Sequence, residues 1–264
     1  MTEAEWLACE DPDAMLNCVQ DASERKLRLF CVACCRHLMH LVFFPEFVGA
    51  LDASEAYADG LICDAELRDA ERSAGKAVSE GRPGDYGYRG IEFAVLHAAG
   101  SWKPTGYMAP IEAAHFVATD TQRVTANYHP SRTHPPIPEL RNAAGPSHED
   151  LQEFFRALEE QTTTEEAIDT RLKALEARKQ TAFMRDIFGN PFRPVSFNPA
   201  WRTDTAVSLA RQMYESREFG AMPILADALQ DAGCEDEHIL NHCRDANQPH
   251  VRGCWVCDLV LGKA

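Results

Sequence analysis

No stretch of this chain alternates apolar and polar residues with period two for long enough to build a sheet. Apolar residues recur instead at three- and four-residue steps, the spacing of one face of an α-helix. Over 23–42, the residues Leu27, Phe30, Cys31, Cys34, Leu38 and Leu41 fall on one such stripe. Asp21 or Ser23 is placed to cap its start, and Pro45 to end it near Phe44. The same reasoning predicts helices over 46–59 (closed by Gly60), 64–78, 91–99, 110–127 and 149–160. The segment 164–188 reads as amphipathic, with Ile168, Leu172 and Leu175 inward, an Asp169–Lys173 surface pair, and Gly189 as its stop.

Beyond that helix, Pro191, Pro194 and Pro199 hold an extended connection, and Asn198-Pro199 reads as a cap with proline at the first helical position. The helix it starts carries Ala206, Leu209, Ala210 and Met213 on its buried stripe. The next carries Leu225, Ala228, Leu229 and Ala232 and stops at Gly233, and two short helices over 236–244 and 253–261 follow. The expected fold is all-α: an irregular (orthogonal) multi-helix bundle in two packed helical lobes. A Gly/Tyr-rich stretch at 81–90 and a Pro-rich stretch at 128–148 interrupt the pattern. They suggest an N-terminal helical module over 1–80, a variable central segment over 81–146 and a C-terminal helical module over 147–264.

Charge and cysteine usage narrow the function classes. A net charge of −15 and a pI of about 5.1 oppose nonspecific attraction to nucleic acid or to an anionic membrane. No apolar run reaches the roughly 20 residues needed to cross a bilayer. The acidic start (Glu3, Glu5, Glu10, Asp11) is unlike a secretion signal. Ten cysteines without such a signal read as free thiols in a reducing compartment, so the expected location is cytoplasmic. Any partner is expected to be another protein, with neither nucleic acid nor membrane.

Chemistry concentrates in the tail, where Cys234, His238, His242, Cys243, His250, Cys254 and Cys257 lie within 24 positions. Zinc requires thiolate and imidazole donors that converge tetrahedrally, and C-x2-C is a common half-site. Cys254 and Cys257 supply that pair, and His250, or His242 with Cys243, supplies the rest. The candidate metal ligands are therefore Cys243, His250, Cys254 and Cys257, for Zn2+. Against this stands core packing with no cofactor at all, since buried cysteine behaves as a small hydrophobe. Cys31, Cys34, Cys35, His37 and His40 cannot all face one ion from a single helix, so core packing is the reading there. Arg252, beside Gly253, is the candidate binding residue: it is suited either to a partner carboxylate or to a helix C-terminus in the same lobe. H-E-x-x-H, G-x-S-x-G, the P-loop and the dinucleotide fingerprint are all missing.

The strings FGNPFRPV, MPILADAL and HVRGCWV, with the leader MTEAEWLACEDPDAML, resemble a family of bacterial proteins with no established activity. The resemblance covers roughly the first and last 80 residues. It implies an accessory protein of two helical modules around a variable centre, and it transfers no catalytic residue. The expectation is thus a noncatalytic protein-interaction or regulatory module. A small zinc-stabilised binding module is the first alternative, and a Cys–His hydrolase or thiol enzyme the second.

Overall fold

The structure, a computed structural model, describes residues 1–39, 45–80, 89–100, 110–127 and 165–263. Among them are twelve α-helices and no strand. In chain order they are α1 (Glu3–Ala8), α2 (Pro12–Cys18), α3 (Glu24–His37), α4 (Pro45–Ala58), α5 (Asp64–Glu80), α6 (Arg89–Ala99) and α7 (Pro110–Asn127), then α8 (Glu165–Phe188), α9 (Asp204–Ser216), α10 (Met222–Asp231), α11 (Glu237–Arg244) and α12 (Trp255–Leu261). The helix expected over 149–160, the 81–88 part of the Gly/Tyr stretch and the Pro-rich stretch lie outside the described residues. So do Leu41 and the side chains of Ile168 and Asp169. No helix among the described residues is long and apolar enough to cross a membrane.

The chain divides into two compact units: a central unit, Glu10–Thr181, and a terminal unit made of Met1–Cys9 with Ala182–Ala264. The sequence suggested three segments bounded near 80 and 146. The compact units divide at Cys9 and within α8.

In the central unit α3 packs against α4, α6 and α7. Ser23 caps it, its Oγ accepting from the Lys26 N–H at 3.4 Å. Every residue from Leu27 to Cys35 is buried, where the sequence suggested a single stripe, and the helix stops at His37, short of Phe44. The remaining faces bury Leu29 and Val32 together with the smaller Ala33 and Cys35. Arg28 is buried with them, donating to Ala98 O at 3.3 Å and Gly100 O at 3.0 Å, and pairing with Glu24 at 2.9 Å. Those bonds occupy carbonyls at the end of α6 that have no partner inside the helix.

The inward stripe of α8 is also more polar than expected. Leu172 is buried but Leu175 is 38% exposed. Glu176 and Gln180, four and eight residues beyond Leu172, continue the buried face instead. Gln180 Nε2 donates to Ala118 O at 3.0 Å and to Thr121 Oγ1 at 2.8 Å. A buried amide needs such partners, because an unmet one costs about 1–3 kcal/mol.

The terminal unit is built on an apolar core from α9, α10, α11 and α12 that includes Ala206, Met213, Leu225, Leu229, Ile239 and Val260. Asn198 does act as a cap, its Oδ1 accepting from the Ala200 N–H at 3.0 Å, but only to start one 3-10 turn, Pro199–Trp201. Helix α9 begins afresh behind the Thr203 cap, because Arg202 leaves the helical region. Helix α1 joins this unit through Trp6, whose fully buried indole Nε1 donates to Gly189 O at 3.2 Å. Thr2 and Glu5 form a reciprocal capping box at its start.

Candidate metal centre

Three neighbouring stretches of the terminal unit each deliver polar side chains to one point. Asp186 comes from the last turns of α8, flanked by buried Phe183, Met184 and Ile187. His242 comes from α11, which Asp236 caps by accepting from the N–H groups of His238 and Ile239. His242 and Cys243 are neighbours, so they point about 100° apart on the helix. Cys243 goes into the core with Ile239 and Leu240, and His242 goes to the centre.

His250 and Cys254 flank a tight turn in which Cys254 N–H donates to Val251 O at 2.9 Å. Gly253 sits inside it at φ 97°, a conformation that residues with a Cβ rarely adopt. The turn brings His250 and Cys254 to the same side, and Cys254 then becomes the N-cap of α12. Gln248 holds the approach to the turn, donating to Ala182 O at 3.1 Å.

One ligand atom from each of Asp186, His242, His250 and Cys254 lies within 4.8 Å of all the others. Asp186 Oδ1 is 2.7 Å from His250 Nδ1 and 3.1 Å from His242 Nε2. Cys254 Sγ is 3.3 Å from His242 Nε2 and 3.9 Å from His250 Nδ1. Donors about 2.0–2.3 Å from a tetrahedral zinc are separated by roughly 3.3–3.8 Å, and the four observed edges bracket that span. The other carboxylate oxygen, Asp186 Oδ2, accepts from Val251 N–H at 2.8 Å, which fixes the carboxylate's orientation from behind. Trp255 and the two imidazoles wall the centre: His242 lies 5.0 Å from Trp255 and 4.9 Å from His250, ring centre to ring centre.

The electrostatics favour positive charge at this point. Burial pushes the Asp186 carboxyl up, but hydrogen bonds and charge from His242 and His250 outweigh it and leave the group below its usual range. Burial works against protonated imidazole. Even so, interactions with Cys254 and Asp186 lift His242 to about 9, and hydrogen bonds to Asp186 and Cys254 lift His250 to about 10. Burial, then the Cys257 hydrogen bond and the Asp186 charge, hold the Cys254 thiol well above its ordinary value. Two protons crowded round one carboxylate mark a place where a cation can displace them.

Each imidazole presents a single nitrogen to both the thiol and the carboxylate. A Cys–His–Asp catalytic triad needs the ring to bridge, with one nitrogen on the nucleophile and the other on the acid. The sulfur is also fully buried, with its pKa raised, the opposite of an activated nucleophile. The arrangement therefore suits coordination better than acyl transfer.

Of the residues singled out in the sequence, His250 and Cys254 belong to this group, as does His242, which the sequence offers only as an alternative paired with Cys243; Cys243 and Cys257 do not. Cys257 Sγ lies 3.7 Å from Met222 Sδ, on the core side of α12. Arg252 lays its guanidinium over the Tyr214 ring, 4.6 Å from its centre, beside Lys263 at 4.3 Å. Cys234 is buried in the core, and His238 is exposed and bonded to Arg193 at 3.0 Å. Sequence reasoning missed Asp186 altogether. The available signal was an acid embedded between Phe183 and Ile187, where a charge must find a partner.

This combination defines an all-α protein carrying a buried, four-donor N2OS cluster. Comparison of the chain with protein-family models, curated proteins and solved structures finds no match.

Proposed function

We propose that this protein is a noncatalytic, cytoplasmic helical module for protein interaction or regulation, whose terminal unit is held together by one structural zinc ion. The ligands are Asp186 Oδ1, His242 Nε2, His250 Nδ1 and Cys254 Sγ. The single observation that carries this reading is the convergence of those four atoms from three separate stretches of chain. Imidazole with thiolate and carboxylate suits zinc, and four protein donors fill a tetrahedron and leave no open position for substrate. The ion would join the end of α8 to α11 and α12, adding to the core and to the bonds that Gln248 and Val251 make to α8. The acidic balance favours a protein partner over nucleic acid or membrane. The bacterial family suggested by the sequence strings fits the same reading: HVRGCWV carries His250 and Cys254, and FGNPFRPV begins two residues after Asp186.

Elemental analysis of untagged protein tests it. One zinc per chain is expected, with loss of the ion to a chelator and a lower Tm. A protein that binds no zinc when refolded with it, and whose Tm a chelator leaves unchanged, defeats the proposal.

A further inference from the structure

The turn of α8 that supplies Asp186 also seats the first helix of the chain. Arg185, the residue before the ligand, donates from Nη2 to Trp6 O at 3.0 Å and to Cys9 O. Both carbonyls stand at the C-terminal end of α1, where they lack partners inside the helix. Gly189, three residues after Asp186, accepts the Trp6 indole N–H at 3.2 Å. Glu3 reaches the connection beyond, accepting from Asn190 Nδ2 at 2.8 Å and pairing with Arg193. Gly189 also meets the wall of the metal centre. A Cβ there would stand 3.3 Å from Cγ of Trp255, whose ring centre is 5.0 Å from that of His242. Helix α1 has six residues, too few to persist unsupported, so it depends on this seat.

We propose that α1 is a metal-responsive clasp: zinc at the centre and docked α1 stabilise each other through the turn Arg185–Gly189, and loss of the ion releases α1. This rests on the zinc reading above and gives it a regulatory output. Arg185 and Asp186 are successive residues about 100° apart, so one turn offers its carboxylate to the ion and its guanidinium to α1. An ion that ties Asp186 to α11 and α12 holds the end of α8 against fraying, and with it both anchors of α1. Docked α1 in turn holds Arg185 and Gly189, and so keeps Asp186 and Trp255 in place. Linkage makes the two effects equal: the factor by which zinc tightens docking is the factor by which docking tightens zinc. Release bares the Trp6 indole and its seat, a surface that a partner protein meets only when the metal is gone.

Hydrogen exchange on the full-length protein, zinc-loaded and after chelation, tests the coupling on the peptide covering residues 1–9. Its amides are expected to exchange at least about tenfold faster without zinc, and by a larger factor than those of the core helix α10. A competition titration reads the reciprocal effect. Trp6→Ala should weaken zinc binding at least about tenfold. Trp6→Phe, which keeps a ring in the seat but loses the N–H to Gly189 O, should fall between it and the parent. Leu7→Ala, on the exposed side of α1, should match the parent. Leu225→Ala empties a buried site on α10, away from the α1 contacts, and should weaken zinc far less than Trp6→Ala does. Exchange at residues 1–9 that ignores zinc, parental affinity in Trp6→Ala, or equal losses in Trp6→Ala and Leu225→Ala each overturns the inference and leaves the zinc reading standing. Failure of the parent to load zinc overturns both. Because exchange is read on the parent protein, the outcome does not depend on a variant folding.

Discussion

Both units bury cysteines, but the surroundings of those sulfurs differ. In the central unit Cys31, Cys34 and Cys35 sit on one helix enclosed by others, and burial raises all three, Cys31 to about 12. No imidazole shares a donor cluster with them among the described residues. In the terminal unit Cys254 is equally buried, yet it meets two imidazoles and a carboxylate brought from other stretches. A run of thiols on one helix is thus ordinary packing, because its members diverge around the axis. Convergence of different donor types from separate stretches is what makes a binding site.

The contrast can be broken most sharply at the ligands. Cys254→Ser or His242→Ala should abolish stoichiometric zinc and weaken affinity beyond the roughly 100-fold seen when only a supporting group is lost. A competition titration measures this, and Cys34→Ala should leave the same curve unmoved. A large packing effect is next. Trp6→Ala should destabilise the terminal unit by about 3–5 kcal/mol in urea unfolding, by emptying the fully buried indole site. Gly253→Ala comes third, at about 1–3 kcal/mol of backbone strain, with weaker zinc binding because the turn no longer aligns His250 with Cys254. Cys31→Ala should have the smallest effect, about 1 kcal/mol by thermal or urea unfolding, with zinc content unchanged.

Several helix bounds were legible, as for 110–127, which matches α7, and for α8, which ends before Gly189 at a positive φ. The all-α class followed from the same signals. Reading α3 as one-sided failed because burial from Leu27 to Cys35 depends on three neighbouring helices that local periodicity cannot see. The Asn198 cap was recognised but its helix was placed too early, since a single 3-10 turn and a second cap at Thr203 follow within five residues. The site was half legible. His250 and Cys254 lie four apart on one turn, and a short-range motif can register that. Asp186 is 56 positions before His242, and only the folded backbone brings them together. Cys243 and Cys257 were attractive by spacing and were turned away by helix direction.

The indole of Trp6 reaches a carbonyl 183 residues further along the chain. During synthesis, helix α1 therefore leaves the ribosome long before its seat exists. The central unit can condense while that first segment waits with a large apolar ring unsheltered. Closing so wide a loop is slow compared with local helix formation, which makes docking of Trp6 a late event in maturation.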